Sequence, residues 1–404
     1  MESTASQGKS TRCFEHVPTP NTRFIILEKT VNHQAIVKNP LATAIALVTG
    51  LGLSQPALAV TDEEFQELQE QFNQLADQVE ENSKETTSST TVGGYGELHY
   101  NNLSNGQGDD IKMLDFHRFV LFVNHEFNDD IRLFTEIEIE HALAGDDQPG
   151  EVEVEQAYVQ FDIGENSNID AGLFLIPVGI LNETHEPPTF YGVERNPVEK
   201  YIIPTTWWEG GAMFSSRFTS GFSYDIALTS GLDGGTDIRG GRQKVAKATA
   251  NNLAATARVK YTGTRGLVLA ATAQYQDDMT QDTSDDIGSA TLIETHVRWI
   301  IADLTLTGLY ARWDIDGEGA SSTQTDVQDG AYIEASYKLH PEWGVFIRQN
   351  QWDNGGAGDT RETQTDVGVN YWPHENVVIK ADYQDQNDIA GNWDGFNLGI
   401  GYQF

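Results

Sequence analysis

DGFNLGIGYQF, residues 394–404, alternates apolar and polar side chains through its final position. Phe396, Leu398, Ile400, Tyr402 and Phe404 share one face, while Asn397, Gly399, Gly401 and Gln403 share the other. A period of two is that of a β-strand, whose successive side chains point to opposite sides. One apolar, aromatic-rich face and one face of small and amide residues fit a sheet with lipid on one side and water on the other. The pattern predicts that this strand closes a barrel, with Tyr402 and Phe404 as an assembly signal for the barrel assembly machinery.

The same alternation recurs upstream. Leu253, Ala255, Ala257, Val259 and Tyr261 form one such face, and Leu267, Leu269, Ala271, Ala273 and Tyr275 another. Only residues 262–266 separate the two, a tight turn. Between residues 92 and 404 about sixteen segments of this kind can be counted. Short connections such as FNDD, GENSN, TGTRG and HPEWG follow the even segments, and longer Gly/Asp-rich ones follow the odd segments. Sorting of loops by side is expected of antiparallel strands crossing a bilayer with both ends on the periplasmic side. A soluble β-sandwich has no cause for it. Closure follows from physics, because an unpaired backbone group facing lipid costs several kcal/mol and a closed sheet has no edge. The expected fold class is all-β, a transmembrane antiparallel β-barrel with a short N-terminal coiled-coil helix.

Composition agrees and excludes other classes. Hydrophobic residues make up 39% of the 404, mean hydropathy is -0.42, and no uncharged apolar run reaches the roughly eighteen residues of a membrane helix. A formal charge of -36 argues against nucleic acid, whose phosphates need a basic surface.

The N-terminus reads as an address. LATAIALVTGLGL, residues 41–53, follows Lys38 and precedes Pro56 and the small-residue site Ala57-Leu58-Ala59. That is the order of a secretory signal, which sets residues 1–59 as a signal peptide with an extended N-region, cleaved before Val60. Cys13, the single cysteine, lies before the cut. In residues 60–84 Phe65, Leu68, Phe72, Leu75 and Val79 recur in steps of three and four, one heptad seam on a periplasmic amphipathic helix. A lone helix of about twenty-five residues is marginal in water, so this seam predicts a trimeric coiled coil or docking to the cell wall. Residues 85–91 form a linker, and the transmembrane barrel occupies 92–404.

Alternation also assigns the lumen wall. With Ile131, Leu133, Ile137 and Ile139 facing lipid, Glu136, Glu138 and Glu140 point inward. The phases of later strands put Arg258, Lys260, His296, Arg298, Lys338, Arg348 and Lys380 inside too. Acidic and basic walls would then face each other and create a transverse field across a pore. The longest connection, residues 177–206, contains Pro177, Pro187, Pro188, Pro197 and Pro204 with Glu183, His185, Glu186, Glu194, Arg195, Glu199 and Lys200. Proline rigidity with bulky charged side chains suits a loop folded into the lumen as a constriction. The alternative is an extracellular flap. The Trp207-Trp208 pair and Trp299 read as interfacial girdle or subunit contacts.

AGLFLIPVGILNETHEPPTFYGVERNPVEKYIIPTTWWEGG, residues 171–211, together with DFHRFVLFVNHEF and the terminal strand, resembles the phosphate-selective porin O/P-like family. The resemblance implies a homotrimer of sixteen-stranded barrels in the cell outer membrane, taking up anions such as phosphate. That family's arginine ladder and central lysines are not matched, so no phosphate ligand is assigned.

No nucleophile elbow, zinc-protease helix motif or P-loop occurs. Asp314, Asp316 and Glu318 begin like a calcium loop, but Asp326 falls one place past its twelfth position. Expected are no catalytic residues, no metal and no cofactor. The favoured function is passive diffusion of small polar or anionic solutes. A structural tether between outer membrane and cell wall is the alternative, and a barrel enzyme is disfavoured because no nucleophile and base pair up.

Overall fold

A computed structural model describes residues 89–108, 110–145, 149–282, 287–387 and 392–404. The expected signal peptide and coiled-coil helix lie outside the described residues. The described chain forms β1 (Ser89–Ser104), β2 (Asp110–Asn128), β3 (Ile131–Glu140), β4 (Val152–Gly164), β5 (Ser167–Leu175), β6 (Trp208–Arg217), β7 (Phe222–Thr229) and β8 (Ala254–Tyr261). It continues with β9 (Leu267–Gln276), β10 (Ala290–Ile301), β11 (Leu304–Ile315), β12 (Val327–His340), β13 (Trp343–Asp353), β14 (Arg361–His374), β15 (Val377–Asn387) and β16 (Asp394–Gln403). Each strand pairs with its sequence neighbours, and β1 pairs antiparallel with β16, so sixteen strands close into a barrel. Ser89, Thr90 and Thr91, expected in the linker, already belong to β1 and pair with Glu126, His125 and Asn124 of β2.

The alternation decides which way each strand faces. Outward positions carry Val259, Ile347, Ile379 and Leu398, all exposed, while the flanking Arg258, Arg348, Lys380 and Asn397 are buried on the inner side. Phe396, Leu398, Ile400 and Phe404 are likewise exposed on the outer face of the closing strand. The seam is held past the end of β16: Phe404 N–H donates to Gly94 O at 2.8 Å, and Gly94 N–H to Phe404 O at 3.0 Å.

Two irregularities shape the interior. Between the pairs Glu97↔Arg118 and His99↔Asp115 the β2 strand holds one extra residue. Such a bulge re-aims side chains, and His117 and Arg118, neighbours in sequence, both line the same lumenal cavity. On β11 both faces are apolar: Leu306 and Tyr310 are exposed outside, whereas Leu309, Ala311, Trp313 and Ile315 are buried inside. Polar lumen chemistry is thus interrupted on one wall, and that patch receives the β5–β6 loop.

Residues 176–207 of this loop lie inside the barrel. Ile176, Val178, Val198, Ile202 and Ile203 are fully buried with Leu292, Leu309, Trp313, Tyr332 and Trp352 from β10–β13. Burying each such aliphatic side chain contributes roughly 1.5–3 kcal/mol. Trp313 Nε1–H donates to Ile202 O at 2.9 Å, which satisfies the indole at the centre of this cluster.

Candidate functional site

Glu199 organises the loop from within. Its carboxylate accepts from Leu181 N–H at 2.6 Å, Ile180 N–H at 2.7 Å and the Tyr332 hydroxyl at 2.7 Å. Burial pushes its pKa up even so, although these donors pull the other way. Fully buried, it cannot line an open pore. Asn182 splices the two ends of the loop, donating to Ile176 O and Trp207 O and accepting Trp207 N–H at 2.7 Å.

The other charged loop residues reach the wall. Glu183 pairs with Arg258 on β8, which also binds Asp225 of β7, Nε to Oδ2, at 2.8 Å. His185 Nε2 sits 3.3 Å from Glu136 and 3.6 Å from Glu155. Burial would lower its pKa, but the two carboxylates raise it to about 10. Glu194 accepts from Asn101 at 3.0 Å and meets His99 Nδ1 at 3.0 Å. Burial opposes ionisation of Glu194, yet the histidine holds its carboxyl well below the usual range. Burial raises the Glu186 pKa, and Lys200 lines two cavities beside Arg195.

The lumen wall differs from a simple pair of opposed charged faces. Glu136 accepts from Gln156 at 2.6 Å, Glu138 faces Arg118 at 3.7 Å, and Glu140 lines a cavity with that arginine. Arg348 is shared between Glu334 and Asp366, both at 3.1 Å. Lys380 donates to Gly192 O at 2.8 Å, and Lys338 lies 3.0 Å over the Trp372 ring. His296 pairs with Glu294 at 2.7 Å. Lys260 is partly buried, and Arg298 lines a small cavity of about 50 Å³ with no ion pair among the described residues. Arg258 and Arg348, expected to give the wall its positive sign, are therefore each matched by two carboxylates.

Trp207 and Trp208 do not belong to an interfacial girdle. Trp207 is fully buried and donates from Nε1 to Glu209 at 2.9 Å, and Trp208 is nearly as enclosed. The reason is the loop's inward path, which carries Trp207 along the inner wall to the start of β6 at Trp208. Trp299, by contrast, is exposed on the outer face.

Arginines with no ion pair among the described residues gather elsewhere. Arg195 from the β5–β6 loop and Arg239 and Arg242 from the β7–β8 loop, residues 230–253, line one cavity of about 300 Å³ with His99, His117, Arg118 and Lys244. Burial and the neighbouring guanidinium groups lower the pKa of Arg239 to about 10 and lower those of Arg242 and Arg195 too. The sequence signal was there in RGGRQKVAK, residues 239–247, where basic residues crowd together in an acidic chain. Loop alternation carries no phase, so nothing local said that they point inward.

Among the described residues, three groups place potential metal-ligand atoms within 4.8 Å of one another: Asp115, His117 and His141; Glu136, Glu155 and His185; Glu140, Glu151 and Glu153. Hydrogen bonding already accounts for the first, since His117 and His141 both meet Asp115 Oδ2, at 3.1 and 2.9 Å.

A profile described as Gram-negative porin matches residues 42–391. A protein of Aquifex aeolicus (strain VF5), described as uncharacterized, is 28% identical over 361 residues, 78% of this chain and 80% of that one. Among solved structures, the outer membrane channel DcaP of Acinetobacter baumannii aligns with a TM-score of 0.55 at 13% identity, covering 80% of this chain and 98% of that chain. Salmonella typhi OmpF in complex with daunomycin gives 0.54 at 16% identity, over 78% of this chain and 97% of its own. The trimer form of Vibrio cholerae OmpT gives 0.53 at 12% identity, with coverage of 78% and 99%. These likenesses carry the fold alone.

Proposed function

The chain belongs to the Gram-negative porin family, and from that premise we propose that it is a passive diffusion channel for small polar and anionic solutes, constricted by its β5–β6 loop. It resides in the outer membrane, where the apolar outer face of the barrel meets lipid. The observation that carries the reading is the loop itself: residues 176–207 run through the interior and are fixed to β1, β3, β8, β13 and β15 through Glu194, His185, Glu183, Arg348 and Lys380. A tethered segment of this size narrows the bore. Solutes then pass charged side chains at close range, which sets selectivity.

Uptake of phosphate, the expectation from the O/P-like resemblance, stays a narrower form of this proposal, as does homotrimeric assembly, which the V. cholerae OmpT trimer form supports by fold likeness. Residues 60–84 are proposed to follow signal cleavage as a self-associating or tethering helix. N-terminal sequencing of outer-membrane material should then begin at Val60, and residues before Leu58 would reject the cut.

Planar-bilayer recording tests the channel. The purified chain should give discrete conductance steps, and shortening residues 183–200 should raise their size. No conductance from correctly folded barrels would reject the channel, and unchanged conductance after shortening would reject the constriction.

A further inference from the structure

We propose that Asp115, His117 and His141 form a binding site for one divalent transition-metal ion, of the class of zinc, copper or nickel, on the lumenal face of the barrel. The site is defined by its donor atoms and stands apart from the channel reading.

Convergence is the first observation. One ligand atom from each of the three side chains lies within 4.8 Å of the other two. His117 Nδ1 is 3.1 Å from Asp115 Oδ2, and His141 Nδ1 is 2.9 Å from Oδ2 and 3.0 Å from Oδ1. Metal bonds of about 2.1 Å to imidazole nitrogen and carboxylate oxygen, set at right angles, separate neighbouring ligand atoms by about 3.0 Å. The hydrogen bonds that join the three side chains already set this spacing. A divalent ion therefore replaces the bridging protons with only small shifts of the rings.

Two elements bring the donors together. Asp115 and His117 are two apart on β2, and the extra residue that β2 holds opposite β1 turns His117 into the cavity beside Arg118. His141, the first residue past β3, takes a left-handed φ of 49°, a region that histidine enters more readily than most side chains. Its N–H donates to His117 O at 3.2 Å, which keeps the two imidazoles side by side. His99 supports the site without belonging to it. Its ring stacks on His117 at 4.7 Å and 14°, and both of its nitrogens are engaged, Nε2 by Glu97 and Nδ1 by Glu194, each at 3.0 Å.

Access is the second observation. The Asp115 side chain is 13% exposed, whereas those of His117 and His141 are 30% and 31% exposed. The two histidines line both the cavity of about 300 Å³ and a neighbouring one of about 340 Å³. An ion held by the three donors keeps its remaining coordination positions open to water on that side.

Donor type selects the ion. Two imidazoles and one carboxylate suit zinc, copper and nickel, whereas calcium and magnesium take oxygen ligands. Arg195 and Lys200 also line both cavities, so charge alone would not retain a hard cation here. Coordination by imidazole nitrogen has to supply the affinity.

Replacing histidine by glutamine separates coordination from hydrogen bonding, because an amide still donates to Asp115 but is a far weaker metal ligand. Wild type, His117→Gln, His141→Gln and the control His340→Gln, at the exposed end of β12, would be purified as full chains, treated with a chelator and checked for heat-modifiable migration. Calorimetric titration with zinc chloride reads affinity, and the visible absorption of added cobalt(II) reads nitrogen ligation. Expected is one saturable zinc site in wild type, weakened about ten-fold or more by His117→Gln and by His141→Gln, unaltered by His340→Gln and not displaced by excess calcium. No zinc binding to wild type, or equal binding by His117→Gln and His141→Gln, overturns the site. Calcium binding as tight as that of zinc overturns its assignment to a transition metal. In planar bilayers zinc should lower the wild-type current and spare His141→Gln; equal block of both would place the ion elsewhere and overturn the lumenal site. Zinc binding to barrels that pass no current overturns the channel reading and leaves the site standing.

Discussion

Arg258 Nη2 donates to Glu183 Oε1 at 3.1 Å, so a guanidinium on β8 joins the barrel wall to the loop that crosses its interior. The same group donates from Nε to Asp225 at 2.8 Å. One cation thus neutralises two carboxylates from different elements. Replacing Arg258 by Gln leaves Glu183 and Asp225 facing each other in an enclosed site. Breaking a buried pair in this way costs about 3–5 kcal/mol, here drawn mainly from loop docking. In a KCl gradient the reversal potential should move toward the potassium potential, and open-channel noise should rise. An unchanged reversal potential together with unchanged noise would show that the pair neither anchors the loop nor faces the solute path.

Deleting Phe404 should block assembly. Its main chain exchanges two hydrogen bonds with Gly94, at 2.8 and 3.0 Å, one residue beyond the last paired position of β16. Its ring packs 6.4 Å from Phe119 on the outer face. The deletion removes both bonds at the one seam that joins distant parts of the chain. Expected is periplasmic accumulation with loss of heat-modifiable barrels, measured by fractionation; normal amounts of folded barrel in the outer membrane would refute the requirement.

The barrel was legible because alternation has a fixed period. Leu398 and Asn397 must point to opposite sides whatever else the chain does, and sixteen repetitions of that constraint leave little freedom. The inward loop was legible only as a type of segment: proline and charge marked residues 177–206, but which carboxylate meets which arginine depends on barrel curvature and depth. Glu199 illustrates the limit. Nothing local distinguishes it from Glu194, yet one is an internal clamp for main-chain amides and the other reaches the β1 wall. The apolar inner row of β11, Leu309, Ala311, Trp313 and Ile315, is the sequence signal of loop docking, since a water-filled wall has no use for it.

Loop anchoring should depend on pH through His185. Its pKa, ordinarily 6.5, is held at about 10 by Glu136 and Glu155 against the effect of burial. A raised pKa means that the docked loop binds the proton more tightly than the undocked one. The contribution is complete below pH ~6.5 and is lost as pH rises through about 10. Open-channel fluctuations of the wild type should therefore grow across that window, while His185→Gln should be noisier at pH 6 and flat across it. Identical pH profiles for the two proteins would remove His185 from the anchoring role.

Gly401 and Gly344 separate the two ways in which the wall makes room for the loop. A Cβ on Gly401 of β16 would collide with Pro187 Cβ and lie 2.9 Å from its Cγ. A Cβ on Gly344 of β13 would collide with the Tyr191 hydroxyl oxygen. The tyrosine end can swing aside, whereas the proline ring is fixed to its main chain and must carry the Pro187–Thr189 turn with it. Overpacking of that kind costs about 1–3 kcal/mol. Neither substitution touches the outer face or the strand ladder, so both barrels should keep their heat-modifiable migration. Single-channel conductance should change with Gly401→Ala and remain near wild type with Gly344→Ala. Equal conductance in all three proteins would mean that Pro187 does not rest on β16, and that the loop enters the lumen at a shallower depth than its contacts with Asn370, Trp372 and Lys380 imply.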